Sequence, residues 1–256
     1  MGFSPEWLSL REPVDRQARD DALLQRAVQA AGPQPVIMDL GCGTGSTLRA
    51  MADHLPSGTR WHLVDNDPAL LQIARDQVRD AQTHVLDLGQ LSALPLQGVT
   101  LVTASALLDL MPATWVQALA ELLAQRGIGF YAALSYDGIM RWDPALPADH
   151  AIGQAFNSHQ RSDKGLGPAL GPEAGEFAQM ACCKAGFDTV IANSPWQIDA
   201  RHAQMHEMLV QGIATAATET GVAQADDWAR DRITAGGLCT IGHQDLLALP
   251  PKDGKG

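Results

Sequence analysis

At 256 residues the chain is long enough to bury a substantial core as one domain with insertions. Its formal charge of −11, from 18 basic against 29 acidic residues, weighs against a standing role on nucleic acid, whose phosphates are met by a basic face. No apolar run reaches bilayer length, and cysteines only at 42, 182, 183 and 239, without C-x-x-C or metal-ligand spacing, weigh against a membrane protein, a disulfide scaffold and a cysteine metal site. The start, MGFSPEWLSLREP, carries an acid and a proline where a signal peptide needs a basic start and an apolar run, so a reducing cytoplasm is the expected setting.

Residues 5–31 read as helical, with Trp7, Leu8, Leu10, Ala18, Leu23, Leu24, Ala27 and Val28 at approximate helical spacing and Pro13 splitting two segments. Arg11, Asp15 and Arg19, each four apart, share one face of such a helix. That face reads first as a solvated ion-pair ladder and alternatively as a seat for a bound carboxylate. Gly32-Pro33 ends the helix, and VIMDLGCGTG follows at 36–45: a short buried strand, Asp39, then glycines at 41, 43 and 45. A helix from Ser46 to Leu55 and a second strand, WHLV, lead to Asp65. Asp67-Pro68 then starts a helix running to about Arg79.

His84 to Leu86 reads as a third strand before Asp87, and residues 99–104 as a fourth, leading into Ser105 and SALLDLM. An amphipathic helix at 112–125 and a fifth strand at 127–135 complete an alternating pattern. From Tyr136 to Pro172 the periodicity dissolves, and the segment is expected as a long functional loop. Beyond it come a helix at 173–185, a sixth strand from Thr189 continuing irregularly toward Ile198, helices within 199–235, and a final strand at 238–249 before a frayed tail, PPKDGKG. Strands alternating with helices predict a doubly wound, Rossmann-like α/β fold: a seven-stranded sheet, mostly parallel with an antiparallel last strand, helices on both faces, and helical or loop cap insertions. The expected organisation is a single domain over 1–256, with a cofactor half at 33–135, caps at 136–172 and 199–236, and N-terminal helices at 1–31.

Three acids, Asp39, Asp65 and Asp87, fall at the carboxyl ends of successive strands, where open α/β sheets bind ligands. Asp65 lies 20 residues after Gly45, the separation at which a carboxylate accepts both ribose hydroxyls, and Asp87 is placed to accept from an exocyclic amine. The glycine spacing is G-x-G-x-G with Ser at 46, not the G-x-G-x-x-G of dinucleotide sites.

VIMDLGCGTG, LVDNDP and VLDL resemble the first three motifs of the class I S-adenosylmethionine-dependent methyltransferases. The resemblance covers residues 33–135. It implies that Gly41, Cys42, Gly43 and Gly45 pass under the methionine part of S-adenosylmethionine (S-adenosylhomocysteine after transfer), that Asp39 orients the turn, and that Asp65 holds the ribose. It further implies that Asn66 flanks the adenine, that Asp87 and the Leu88 amide read its edge, and that Ser105 and Asp109 stand between cofactor and acceptor. The Asn/Asp-Pro-Pro-aromatic tetrad of the branch that methylates bases in nucleic acids is missing after the fourth strand, which points to a small-molecule acceptor. Two alternatives stay open: an NAD-type oxidoreductase, and a non-catalytic protein that binds the cofactor or a metabolite.

Methyl transfer from a sulfonium is a direct displacement, so the protein must align the reactants and exclude water; a base helps an alcohol acceptor. Asp109 and His159 are the candidate catalytic groups. Arg161 and Lys164, with Gly165 and Gly167 for loop closure, are candidates to bind an anionic acceptor, and Tyr136 and His243 to line its pocket. His243 and Asp245 share a face of the last strand if it is regular. Cys182 and Cys183 read as packing residues. His202 and His206, four apart, lack a third ligand and read as a surface coincidence, so no metal is expected. Monomer and homodimer are equally compatible with the sequence.

Overall fold

The computed structural model describes residues 4–78 and 81–251. The expected helix end at Arg79, the first three residues of the N-terminal segment and the tail from Lys252 lie outside these. The strands are β1 (Val36–Leu40), β2 (Arg60–Asp65), β3 (Gln82–Val85), β4 (Leu101–Ser105), β5 (Gly129–Asp143), β6 (Asp188–Asn193), β7 (Trp196–Ile198) and β8 (Leu238–Leu249). The helices are α1 (Pro5–Ala18), α2 (Asp21–Ala30), α3 (Ser46–Met51), α4 (Pro68–Gln77), α5 (Ala113–Arg126), α6 (Asp149–Gln160), α7 (Ala174–Lys184), α8 (Ala203–Glu219) and α9 (Ala225–Ala235). They surround one sheet in the order β3-β2-β1-β4-β5-β8-β6, with β7 paired to the other end of β8.

The first five strands are parallel, and β8 runs antiparallel between β5 and β6. From β1 the chain winds to one edge through β2 and β3, then crosses back to β4 on the other flank of β1. The switch in strand order therefore falls between β1 and β4, immediately below the glycine turn, where a crevice for a ligand opens in such folds. All five residues of β1 are buried, as a central parallel strand with helices on both faces requires. Successive side chains serve opposite cores: Met38 and Leu40 pack with β4, α5 and α7 residues, Ile37 with α2, α3 and α4 residues. A third cluster, built around Trp142, Trp196, Trp228, Val210 and Ile213, joins the far ends of β5 and β8 to α6, α8 and α9.

Three expectations are corrected. Pro13 lies inside one continuous helix; the break falls at Arg19 and Asp20, where the Asp20 side chain accepts the Leu23 amide and starts α2. Burial of Val14 and the Arg11–Asp15 pair hold α1 together across the proline. The sixth strand is two strands, β6 and β7, so the sheet has eight strands among the described residues. The segment from Tyr136 is not a loop: β5 continues to Asp143 and α6 follows. Register shifts between Ala132 and Ser135 and between Tyr136 and Met140 destroy the alternation by which a strand is read, and α6 buries only Ile152 fully, too little to show a helical period.

Candidate active site

Gly41, Gly43 and Gly45 all have left-handed backbones, with φ of 62°, 53° and 86°, which glycine adopts without the clash a Cβ would bring. The turn is tied to β2: Cys42 N donates to Val64 O at 3.0 Å, and Gly43 N donates to Asp65 Oδ2 at 2.8 Å. The other Asp65 oxygen accepts Asp67 N at 3.0 Å. One backbone amide on each oxygen leaves a second lone pair on each, so this buried carboxylate can still accept a vicinal diol. Arg49 supports the turn from below, donating to Thr44 O at 2.6 Å while paired with Glu12 at 2.5 Å. Burial pushes the Cys42 thiol up, making it a packing group rather than a thiolate.

Behind the turn, Thr103 Oγ1 donates to Asp39 Oδ1 at 2.8 Å across the β1–β4 seam. The second Asp39 oxygen has no partner, and burial holds this carboxyl up at about 7 against the pull of Thr103 and Arg19. Arg19 donates from Nη2 to Ser105 Oγ at 2.7 Å, while its Nε and Nη1 are buried without a partner. The helix face of Arg11, Asp15 and Arg19 is thus not solvated: all three are buried over the sheet's carboxyl edge. Arg11 forks onto Asp15 at 2.8 and 3.2 Å, Trp196 Nε1 donates to Asp15 Oδ1 at 2.8 Å, and the Arg11 guanidinium lies 5.0 Å from the Trp196 ring centre. The spacing is legible in the sequence; the burial is not, because it depends on β7 and β8, whose contacts Trp196–Asp15 and Asp245–Asp20 span 181 and 225 residues.

On the β3 side, Asp87 Oδ1 accepts Gly89 N at 2.8 Å, and Leu88 O accepts Trp115 Nε1 at 2.7 Å. Asn66 and Asp87 are exposed. Leu166 packs over Gly89, and between them and the start of α5 lies a cavity of about 350 Å³ lined by Gly89, Leu91, Pro112, Thr114, Trp115 and Leu166.

Asp109 follows β4 in a one-turn 3-10 helix (Leu108–Leu110) and is buried with Oδ1 unpartnered. Burial raises its carboxyl to about 6, opposed by its own and the Tyr136 backbone amides, Arg11 and Lys164. The Tyr136 hydroxyl donates to Asn157 Oδ1 at 2.7 Å. The His243 ring lies 4.6 Å from Trp196 and 6.1 Å from Tyr136, and its Nδ1–H donates to Ile241 O at 3.1 Å, leaving Nε2 with the lone pair. Burial and Arg11 depress its basicity to about 3, so it is neutral. His243 and Asp245 do share a face: His243 lies beside Arg11 and Asp245 beside Arg19. His159 and Lys164 are joined at 3.2 Å. Arg161 is not gathered with them; it pairs with Glu173 and is half exposed. Cys182 is buried but Cys183 is exposed. His206 is buried edge-on to Trp142 at 5.9 Å rather than lying on the surface, and among the described residues no three His, Cys, Asp or Glu converge on a metal position.

A sheet in this strand order, with acids after β1, β2 and β3 and a glycine turn at the switch point, is a Rossmann-like α/β architecture whose ligand crevice lies beyond the carboxyl ends of the strands. Residues 37–127 match the family described as a methyltransferase domain. That segment, rather than the whole chain, carries the methyltransferase-domain signature. No curated protein matches it. Among solved structures it resembles the cyclopropane-fatty-acyl-phospholipid synthase-like protein of Lactobacillus casei, with 13% identity, TM-score 0.58, and coverage of 97% of this chain and 95% of that one. It also resembles a geranyl diphosphate methyltransferase solved with S-adenosylmethionine, with 10% identity, TM-score 0.50, and coverage of 92% and 84%. A third is the Haemonchus contortus phosphoethanolamine N-methyltransferase 2, with 16% identity, TM-score 0.51, and coverage of 90% of this chain and 52% of that one. At these identities the likeness shows the fold.

Proposed function

We propose that the chain binds S-adenosylmethionine and transfers its methyl group directly to a small-molecule acceptor. One observation carries this reading. Two buried charged groups with unpartnered atoms, Arg19 and Asp39, lie together at the switch point, and a third, Asp109, follows β4 beside Arg11 and Tyr136. Stranded buried charges are costly unless a ligand completes them. A zwitterionic amino-acid moiety under a nucleoside supplies the missing partners: Arg19 takes its carboxylate, and Asp39 and Ser105 stand on the side of its ammonium. Asp65 accepts the ribose hydroxyls, Asp87 and the Leu88 amide meet the adenine edge, and Asn66 flanks it.

When bound, the cofactor supplies an electrophilic sulfonium methyl. The chain's own part is alignment, exclusion of water and removal of a proton. Asp109, near neutrality in its proton affinity and with a free oxygen, is suited to accept a proton from an alcohol or ammonium acceptor. Tyr136, His243 and Trp196 form an apolar-walled side to the acceptor space, with Lys164 and Arg11 favouring an anionic acceptor and Arg161 at its rim. Two of the structural relatives are a geranyl diphosphate methyltransferase and a phosphoethanolamine N-methyltransferase, which supports a small molecule as the acceptor here. Residues 136–172, now strand and helix, act with 199–236 as the cap of a single domain working in the cytoplasm as monomer or homodimer. The acidic charge supports an acceptor other than nucleic acid. Among the described residues no helix is long and apolar enough to cross a membrane. The antiparallel β8 between β5 and β6 disfavours an NAD-type dehydrogenase, whose sheet is built from two parallel βαβαβ halves.

Calorimetric titration with S-adenosylhomocysteine and NAD tests the reading: binding of the first without the second is expected, and the reverse overturns it. A sharper test isolates Arg19. In Arg19→Leu, affinity for S-adenosylhomocysteine falls roughly tenfold or more, since charged hydrogen bonds contribute about 1.5–3 kcal/mol each. Affinity for 5′-methylthioadenosine, which lacks the amino-acid moiety, is unchanged. Equal losses for both would make Arg19 part of the scaffold only.

A further inference from the structure

One hairpin of the cap reaches the β3 side of the site, and the methyl-transfer scheme leaves it without a role. After α6 the chain turns back on itself between Ser162 and Ala169. Asp163 bridges to Pro168, Ala169 N donates to Ser162 O at 3.2 Å, and Asp163 Oδ1 accepts Gly165 N at 2.7 Å and Gly167 N at 3.0 Å. Gly165 and Gly167, each with φ of 113°, take the bend and leave Leu166 at the tip. Both flanks are fastened. On the outgoing side Lys164 Nζ lies 3.2 Å from His159 Nδ1 on α6, whose Nε2 lies 2.8 Å from a Glu219 oxygen on α8. On the returning side Leu170 N donates to Met111 O at 2.9 Å, just ahead of α5.

The tip lies beside the acid that follows β3. Leu166 Cδ2 and Asp87 Oδ1 stand 3.0 and 3.2 Å from the position that a side-chain carbon on Gly89 would occupy, so methyl, glycine and carboxylate adjoin one another. Leu166 and Trp115 are two walls of the cavity beside Gly89, and the bond from Trp115 Nε1 to Leu88 O ties that cavity to the turn carrying Asp87. A single exposed leucine needs no explanation by itself. This one, 37% exposed, is set by a bonded turn and two glycines against the residue two past the acid. We propose that Leu166 is the apolar cover of the cofactor's adenine ring. The proposal rests on the methyl-transfer reading for the identity of that ring. A purine has polar edges and apolar faces, so a site that meets the edge with a carboxylate and an amide still has a face to take out of water. The leucine supplies that cover, and its own exposed surface is buried in the same step. Gly89 serves the same contact, because a Cβ there would meet both Leu166 and Asp87.

The test uses the full chain with S-adenosylhomocysteine and 5′-methylthioadenosine, which share adenine and ribose and differ in the amino-acid moiety. In Leu166→Ala both affinities are expected to fall about fivefold or more, and by the same factor, whereas Arg19→Leu lowers the first alone. Leu166 lies outside the three hydrophobic clusters, so the variant keeps its fold, which a thermal melt checks. A second measurement does not depend on affinity. In the parent chain with labelled leucine methyls, magnetisation is expected to pass from Leu166 to adenine H2 or H8 of bound S-adenosylhomocysteine. Unchanged affinities in Leu166→Ala, a loss confined to S-adenosylhomocysteine, or no transfer between the Leu166 methyls and the ring overturns the cover. A parent chain that binds neither ligand overturns the methyl-transfer reading instead, so the two failures are distinguishable.

Discussion

In Asp65→Ala, affinity for S-adenosylhomocysteine is expected to fall by more than tenfold, the largest loss of any single cofactor-site variant. The magnitude follows from two roles in one carboxylate. It would accept the ribose hydroxyls through charge-assisted bonds worth about 1.5–3 kcal/mol each. It also holds Gly43 N at 2.8 Å and Asp67 N at 3.0 Å, fixing the glycine turn against the start of α4. Alanine removes both, and a turn of three positive-φ glycines has little else to keep it in the productive conformation. Asp65→Asn separates the roles. Its amide oxygen can keep one backbone donor, so the turn is partly retained while one ribose acceptor becomes a donor. Calorimetry on both variants, with thermal melts to confirm folding, checks this; an Ala variant that binds within threefold of the parent would remove Asp65 from the ribose.

The second large effect concerns stability. Asp245 is completely buried on β8, where Oδ1 accepts Leu134 N at 2.8 Å and Oδ2 accepts Asp20 N at 3.0 Å and the Tyr131 hydroxyl at 3.3 Å, beside the Arg19 guanidinium. Leu134 is held at φ 58°, a strained conformation for a leucine, at the bulge in β5. In Asp245→Ala, two amides and a hydroxyl lose a buried acceptor together, and the Arg19 guanidinium loses a neighbouring counter-charge. Breaking such a network costs about 3–5 kcal/mol, which for a chain of this size lowers Tm by about 10 °C. A drop under about 2 °C would mean that water replaces the carboxylate. Because Asp245 steadies both Asp20, the cap of α2, and Arg19, the variant is also expected to weaken S-adenosylhomocysteine binding indirectly, which separates it from an ordinary core defect.

How far the site could be read in the chain depends on how local its determinants are. The glycine turn, Asp39, Asp65 and Asp87 are each set by a strand of four to six residues and the turn after it, so periodicity and spacing suffice to place them. Trp115 was legible as part of an amphipathic helix, but nothing in the helix says that its indole reaches Leu88 O. The stretch from Tyr136 misled because bulges shift the strand period, and a bulge is fixed by the partner strand rather than by the bulged residues. Arg11, Asp15 and Arg19 show the same limit. A charged ladder on an isolated helix is stable in water, and only contact with Trp196, Ser105 and Asp245 makes it a buried part of the site.

The sequence by itself determined the order of strands and helices from the glycine turn to the start of β5, the position of that turn and the acids that follow it, because short-range apolar patterning and backbone freedom decide these without reference to distant chain. The tertiary structure alone decided which charges lost their water. Burial is a property of what packs on a residue, and for Arg19, Asp109, His243 and Asp245 the covering elements come from α1, β5, β7 and β8, far apart in the chain and brought together only when the sheet closes around its antiparallel strand.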